Sequence, residues 1–228
     1  MVSVIIPFLN EEKSLPRLGE NLAALAGSPE IILVDGQSSD SSLALASPLG
    51  AVLSSPPGRA RQMNLGAAAA HADILLFLHA DCLLAPDALT HVERALANPD
   101  LVGGCLTQTF RCPSRQTVFD WIAFGGNLRA RLARTFFGDQ AIFCRRSVFN
   151  RLGGFPDLPI FEDVEFSRLL ARAGHTTVLS SPVFSSPRRW LNHGLVRTTL
   201  VDYHVHLGRF AGMTLSDLAR IYLQTDAR

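Results

Sequence analysis

The chain has 228 residues, 21 basic and 20 acidic side chains and 47% hydrophobic residues, enough to bury the core of one sizeable domain. This composition excludes a disordered tail and a small disulfide-stapled module. A formal charge of +1 gives no electrostatic footprint of a nucleic-acid-binding protein. Cys82, Cys105, Cys112 and Cys144 show no Cys-x-x-Cys spacing, so zinc-ribbon and redox-motif chemistry lack support and reduced, buried thiols are expected. The N-terminal apolar run is too short for a signal peptide and lacks a basic start, and no later stretch approaches the about 18 apolar residues of a membrane span. A cytoplasmic location is expected on these grounds.

Three short runs rich in Val, Ile, Leu and Phe come first, at Val2–Phe8, Glu30–Val34 and Asp73–Leu78, and read as buried parallel strands. Helical segments are expected at Glu11–Leu25, Asp40–Ala46, Arg59–Ala70 and Pro86–Ala97, the last with proline suited to a first turn. The alternation predicts an α/β sheet. Each strand is followed by polar residues: Asn10-Glu11-Glu12, Asp35-Gly36-Gln37-Ser38-Ser39-Asp40 and His79-Ala80-Asp81. Loops after the C-terminal ends of parallel strands line the ligand crevice of an open sheet, so these three loops are expected to build one site. Any one of the aspartates alone also fits a helix N-cap.

The second half suggests strands at Leu101–Phe110, Gln140–Cys144 and Thr176–Phe184, and a helix over Glu162–Ala173 stopped by Gly174. The stretch Val118–Phe137 sets Phe119, Trp121, Ile122, Phe124, Leu128, Leu132, Phe136 and Phe137 beside Arg129, Arg131 and Arg134. It reads either as an amphipathic helix on a membrane surface or as a core-packing helix with solvated arginines. Gly125-Gly126 interrupts it, which favours core packing. After Gly194, Val201, Val205, Leu207, Phe210, Leu215, Leu218, Ile221 and Leu223 at mixed helical spacing could bury against the core, a second subunit or a lipid surface.

The ordered set Val4-Ile5-Ile6-Pro7-Phe8-Leu9-Asn10-Glu11-Glu12, Leu33-Val34-Asp35-Gly36, Gly58-Arg59-Ala60-Arg61-Gln62-Met63-Asn64, Leu78-His79-Ala80-Asp81, Glu162-Asp163 and Arg188-Arg189-Trp190 resembles family 2 glycosyltransferases of the GT-A fold. Gly138-Asp139-Gln140 and Ser186–Trp190 look closest to a small bacterial subgroup. The resemblance implies a GT-A type, Rossmann-like three-layer α/β sandwich with a mixed, mostly parallel sheet. It covers residues 1–193, with a nucleotide-binding half over 1–100 and an acceptor half over 101–193. Residues 194–228 are then a helical extension packed on that domain.

The implied activity moves one sugar from a nucleotide-diphosphate sugar, UDP-linked by expectation, to a hydroxyl acceptor with inversion. Asp35 can accept from a pyrimidine N–H or a ribose hydroxyl, the backbone of Pro7, Phe8 and Leu9 can meet the base edge, and Gly36, Glu11 and Ala80 line the same crevice by resemblance. In the family an arginine of the third loop contacts the nucleotide; Arg59 is the candidate, Arg61 the alternative, and Asn64 supports the loop near a helix N-terminus. The family's Asp-x-Asp pattern has His79 in its first position here, leaving Asp81 to hold Mn²⁺ or Mg²⁺ with the donor's phosphates. His193 is the candidate second metal ligand, with His204 and His206 as alternatives.

Asp163 is the expected general base and Glu162 its neighbour, which orients the acceptor or shifts the pKa by like charge. Asp139, Gln140, Arg189 and Trp190 are expected on the acceptor side. Arg189-Trp190 resembles the end of the Gln-x-x-Arg-Trp element of processive members, without its beginning, which points to single-sugar transfer. A sugar-phosphate nucleotidyltransferase is the rival enzyme, although Asn10-Glu11-Glu12 is an acidic loop where a triphosphate would need a basic one. A non-catalytic nucleotide-sugar binder, motivated by His79, is the rival from another class. The expected partners are the donor, an unidentified acceptor that is a small molecule, glycan or lipid-linked, a second copy as homodimer, and the inner face of a membrane as a peripheral contact.

Overall fold

The computed structural model describes residues 1–226, and side chains within that range except at positions 203, 206, 210 and 223–226. His206, Phe210 and Leu223 therefore lie outside the described side chains. In chain order the elements are β1 (Val2–Phe8), α1 (Leu15–Ala23), β2 (Glu30–Asp35), α2 (Ser42–Ala46), β3 (Ala51–Ser54), α3 (Arg59–Ala69), β4 (Ile74–Phe77), β5 (Leu83–Leu84) and α4 (Ala88–Ala95). They continue with β6 (Leu101–Phe110), α5 (Gln116–Ala133), β7 (Phe143–Arg145), α6 (Arg146–Leu152), α7 (Glu162–Ala173), β8 (His175–Ser185), α8 (Arg188–His193), α9 (Leu195–Phe210) and α10 (Leu215–Asp226).

One eight-stranded sheet runs β3-β2-β1-β4-β7-β6-β8-β5. β3, β2, β1 and β4 are mutually parallel, β7 runs against both its neighbours, and β6 and β8 are parallel again. This is the mixed α/β sheet that the alternation predicts. β1 is buried at all seven positions, as a strand covered by helices on both faces must be. Successive side chains point to opposite faces. Val4 and Ile6 join Leu15, Leu18, Leu76 and Val92 under α1 and α4, while Ile5 joins Met63, Phe77, Phe149 and Phe166 under α3, α6 and α7. The register pairs Phe8 with Asp35 and Ile5 with Phe77, so the three polar loops leave the sheet at one edge.

On the second face Phe77, Phe149, Phe155 and Phe166 stack, with ring centroids 4.8 Å apart for Phe77–Phe155 and 4.4 Å for Phe155–Phe166. Deleting one such ring costs about 3–5 kcal/mol. The cluster fixes α7 against the end of β4. The C-terminal helices pack on the segment leading into α7: Val205, Leu218 and Ala219 cluster with Ile160, Phe161 and Val164. Among the described residues no helix is long and apolar enough to cross a membrane. All four cysteines are free and buried, as expected.

Several expectations need correction. α1 begins at Leu15 because residues 11–14 form a turn closed by the Ser14 amide on the Glu11 carbonyl at 2.9 Å. β3 is an edge strand of only four residues followed by Pro56-Pro57, and lacked a periodic signal. Gln140 ends a 3-10 turn at Gly138–Gln140, so β7 begins only at Phe143. Gly125-Gly126 does not interrupt α5, which runs through 18 residues. Burial of Phe119, Ala123, Asn127 and Ala130 on one face outweighs the about 1 kcal/mol that each glycine costs a helix. Gly126 also allows close approach, since a Cβ there would lie 3.0 Å from Gln108 Oε1. The solvated face is mainly apolar rather than arginine-lined: Trp121, Phe124, Leu128 and Leu132 are exposed, whereas Arg129 and Arg134 bond back to the protein.

Candidate active site

The loops after β1 and β2 are laced together before any ligand is considered. Asn10 adopts φ +55° and its Oδ1 accepts from the Ser39 amide at 2.8 Å. The amide of Glu11 donates to Ser42 Oγ at 2.7 Å. Asp35 is buried, and its Oδ1 accepts from the Ser38 amide at 3.0 Å, an Asx-type bond that shapes the turn. Pro7 and Phe8 are buried, and the Phe8 carbonyl is already taken by the Gly36 amide at 2.9 Å and Gln62 Nε2 at 2.8 Å. The Phe8 carbonyl is therefore not free to read a base edge, which corrects the expectation for that group, and Leu9 is the exposed member of the three.

Gln62 was missed by sequence reasoning. It is buried on α3, and its Nε2 also donates to the Val34 carbonyl at 2.8 Å. A Cβ on Gly36 would lie 3.0 Å from that nitrogen, so the glycine makes room for the amide. The only sequence signal was a polar residue on the inward side of an otherwise Ala-rich helix.

Five acids and several cations converge on the crevice. Arg59 Nε lies 3.0 Å from Glu162 Oε1 at the start of α7, and the Glu162 side chain is only 3% exposed. Burial pushes the Glu162 carboxyl up, against the pull of Arg59. Arg61 instead pairs at the surface with Asp157 at 2.9 Å. Both arginines border one cleft with Pro57, Leu158 and Glu162. Asn64 does not face it: its carboxamide is spent on Phe155, donating to the carbonyl at 2.8 Å and accepting from the amide at 2.9 Å. Asn64 thus ties α3 to the segment after α6, in keeping with a loop-supporting rather than a ligand-contacting residue.

Asp163 Oδ2 accepts from the Gly138 amide at 2.7 Å, and its Oδ1 accepts from the Val164 amide at 2.7 Å. α7 thus starts on an unusual residue, Phe161 at φ +67°, with Asp163 turned to the Gly138–Gln140 turn. A Cβ on Gly138 would lie 2.4 Å from His79 Nε2 and 3.5 Å from Asp163 Oδ2, so imidazole, turn and carboxylate are in close contact. Burial, with Arg59 and Arg188 nearby, pulls the His79 pKa down to about 3, so the ring is neutral. Ala80 beside it is buried.

Asp139 completes the group. Its Oδ2 accepts from Gln108, whereas Oδ1 is buried without a hydrogen-bond partner among the described residues. Burial raises its pKa to about 6 against the pull of Arg129, with Asp163 and Asp81 adding to the rise. Gln140 is fully buried and holds the turn, accepting from the Phe137 amide at 3.1 Å and donating to Asn127 at 3.3 Å. An acceptor contact by Gln140 is therefore replaced by a role in shaping the turn.

The arginine that reaches the site is Arg188, which sequence reasoning passed over for its neighbour. Its NH1 donates to Glu11 Oε2 at 2.6 Å, its NH2 grips Glu11 Oε1, and its Nε lies 3.3 Å from Asp81 Oδ2. Burial raises the Asp81 pKa while Arg188 opposes the rise. Arg189 points the other way, 2.7 Å from Asp202 and stacked on Tyr222, and ties α8 to α9 and α10. Trp190 packs edge-on against Phe110 and Phe119, with centroids at 5.5 and 6.1 Å. Both are corrected from acceptor contacts to packing roles. His193 closes α8, and among the described residues no contact joins it to Asp81 and no group of three His, Cys, Asp or Glu forms a metal cage. The donor set is one carboxylate, Asp81, beside a neutral imidazole, His79.

The family pattern described as Glycosyl transferase family 2 matches residues 3–153. The chain is 33% identical over 170 residues to a PGL/p-HBAD biosynthesis glycosyltransferase of Mycobacterium bovis and to its counterpart in Mycobacterium tuberculosis, covering 68% of this chain and 63% of theirs. It thus spans less than two thirds of those relatives. Among solved structures it is similar to a mannosyltransferase from Pyrobaculum calidifontis in complex with GDP-Man and Mn²⁺, with TM-score 0.67, 18% identity and coverage of 98% of this chain and 69% of that one. It is also similar to S. aureus TarS in complex with UDP-GlcNAc, with TM-score 0.63, 19% identity and coverage of 81% and 58%. These likenesses agree with the GT-A fold and give neither rival reading support.

Proposed function

Because the chain belongs to glycosyl transferase family 2, we propose that it moves one sugar from a nucleoside-diphosphate sugar, UDP-linked, to a hydroxyl acceptor with inversion. The observation that carries this reading is the convergence of Asp81, Asp139, Glu162 and Asp163 with Arg59, His79 and Arg188 beyond the C-terminal ends of parallel strands. A diphosphate leaving group needs positive charge, and a hydroxyl nucleophile needs a base on the opposite side of the anomeric carbon. Arg188 and Arg59 supply the first. TarS with UDP-GlcNAc and the mannosyltransferase with GDP-Man support a nucleotide-sugar donor, and calorimetric titration of UDP against GDP tests the UDP assignment.

Asp163 is the general base in this reading. The Gly138 amide fixes its orientation, and each oxygen keeps a lone pair for a proton. As the acceptor oxygen bonds to the anomeric carbon, the bond from that carbon to the phosphate oxygen breaks, the acceptor proton passes to Asp163 and the nucleoside diphosphate departs. Glu162, neutralised by Arg59, orients the acceptor or the donor sugar rather than taking the proton.

The side chains at Asp81 fit a divalent cation shared with the donor's phosphates, since Mg²⁺ and Mn²⁺ are commonly held by one or two carboxylates plus phosphate. Asp81 would hold it, with neutral His79 two residues away in the same loop. Such an ion acts as a Lewis acid toward the leaving diphosphate. The test is Asp163→Asn: transfer is expected to fall by about a hundredfold or more while calorimetric affinity for the donor stays within twofold. Loss of donor affinity in that variant would remove Asp163 from the base role.

A further inference from the structure

We propose that the outer face of α5 docks on a bilayer surface carrying anionic headgroups. At 100° per residue, Val118, Trp121, Phe124, Gly125, Leu128 and Leu132 fall within about 120° of arc. Trp121 is 70% exposed, Phe124 57% and Leu132 76%, while Phe119, Ala123 and Ala130 on the opposite side are buried. Trp121 and Phe124 meet edge to face at 5.9 Å and shield each other only in part. A continuous apolar stripe opposite a fully buried face marks a contact surface rather than scattered exposed residues.

Charge decides what covers it. Residues 111–134 contain five arginines, Arg111, Arg115, Arg129, Arg131 and Arg134, against one acid, Asp120. Arg129 and Arg134 are committed to Gln140 and Gly174, and Arg111 lies over the Phe184 ring. Arg115 and Arg131 are exposed with no carboxylate partner among the described residues. Asp120 is occupied by Gln116 at 2.7 Å. Basic residues flanking an aromatic and leucine face are the signature of a helix lying in an anionic interface. A second copy meeting this face about a two-fold axis would instead bring like-charged arginines together.

The neighbourhood extends the surface. Ile122 of α5 and Leu195 of α9 pack in one cluster with Phe119 and Trp190, and from that point α9 carries exposed Val196, Arg197 and Leu200. The buried side of α5 carries Asn127, bonded to Gln108 and Gln140 beside Asp139. Docking therefore sets the acceptor-side wall of the crevice about one helix diameter, ~10 Å, from lipid headgroups. The docking itself is independent of the transfer chemistry proposed above.

The test is flotation of the full chain with vesicles of phosphatidylcholine alone and of phosphatidylcholine mixed with phosphatidylglycerol. Binding is expected to the mixed vesicles, to weaken in high salt, and to fall about tenfold or more in a Trp121→Ser/Phe124→Ser variant. An Arg115→Gln/Arg131→Gln variant is expected to lose about tenfold. These side chains are exposed, so thermal unfolding and donor affinity should be unchanged. Absence of vesicle binding, equal binding to neutral vesicles, or a solution dimer that the Trp121→Ser/Phe124→Ser variant dissociates would each overturn the proposal.

Discussion

Arg188 Nε lies 3.3 Å from Asp81 Oδ2, and the same guanidinium grips both oxygens of Glu11. A cation therefore already rests on the carboxylate that is proposed to meet the donor's diphosphate. Phosphate oxygens and a divalent ion would compete for the two halves of this pair, and an arginine fork suits phosphate as well as it suits carboxylate. Arg188→Gln is expected to weaken donor binding by about tenfold or more and to strengthen Mn²⁺ binding to the donor-free protein, both read by calorimetry. Unchanged donor affinity would reduce Arg188 to a strap between α8 and the first loop.

The Gly138 turn makes a sharper demand. Its amide holds Asp163 Oδ2 at 2.7 Å, and no side-chain atom can be added without meeting His79 Nε2 at 2.4 Å. Gly138→Ala must push the imidazole or the turn, at a cost of about 1–3 kcal/mol in stability, and a shift of the turn carries Asp163 with it through the Gly138 amide. Transfer activity is expected to fall about a hundredfold, because displacements near 1 Å at a reacting group have that effect. Wild-type turnover with a lowered melting temperature would mean that Asp163 is not held by this bond in the working enzyme.

The first half of the fold was legible because strands covered on both faces must be continuous apolar runs, and because acids following such runs collect at one sheet edge. Asp35 and Asp81 were found in this way, whereas the Glu162-Asp163 pair, which opens a helix and follows no strand, came from the family resemblance. Arg188 and Arg189 could not be separated from sequence: adjacent helical residues point about 100° apart, and which one faces Glu11 depends on how α8 is rotated by packing of Trp190 on Phe110. Gly125-Gly126 misled for a related reason, since local propensity was outweighed by contacts to β6 that no local pattern records. Asp139 was legible as part of the site, but its buried, unpartnered oxygen was not.

Gln62 carries a structural prediction. Its amide nitrogen joins the carbonyls of Phe8 and Val34 at the ends of β1 and β2, the point from which the Asp35 and Glu11 loops depart. Gln62→Leu keeps the volume approximately and removes both bonds, at a cost of about 2 kcal/mol in urea unfolding. Because the loops lose their common anchor, donor KM is expected to rise more than kcat falls. A stability loss with unchanged KM would separate the strand ends from nucleotide binding.

Asp139 gives the fold a pH dependence of predictable sign. Burial raises its pKa from 3.8 to about 6. The folded state thus binds this proton more tightly than the unfolded chain, so the stabilisation is complete below about pH 4 and is lost as pH rises through 6. At neutral pH the buried charge costs up to about 3 kcal/mol. Asp139→Asn keeps an acceptor for Gln108 and carries no charge, so it is expected to be more stable than wild type by about 1–3 kcal/mol near pH 7.5 and equal to it near pH 4. His79 works in the other direction, its depressed pKa of about 3 costing stability as pH falls below 6.5, but it is present in both proteins and cancels in the difference. Urea unfolding across this range reads the crossover directly, and a difference that did not vary with pH would show that the Asp139 carboxylate is not desolvated as its surroundings imply.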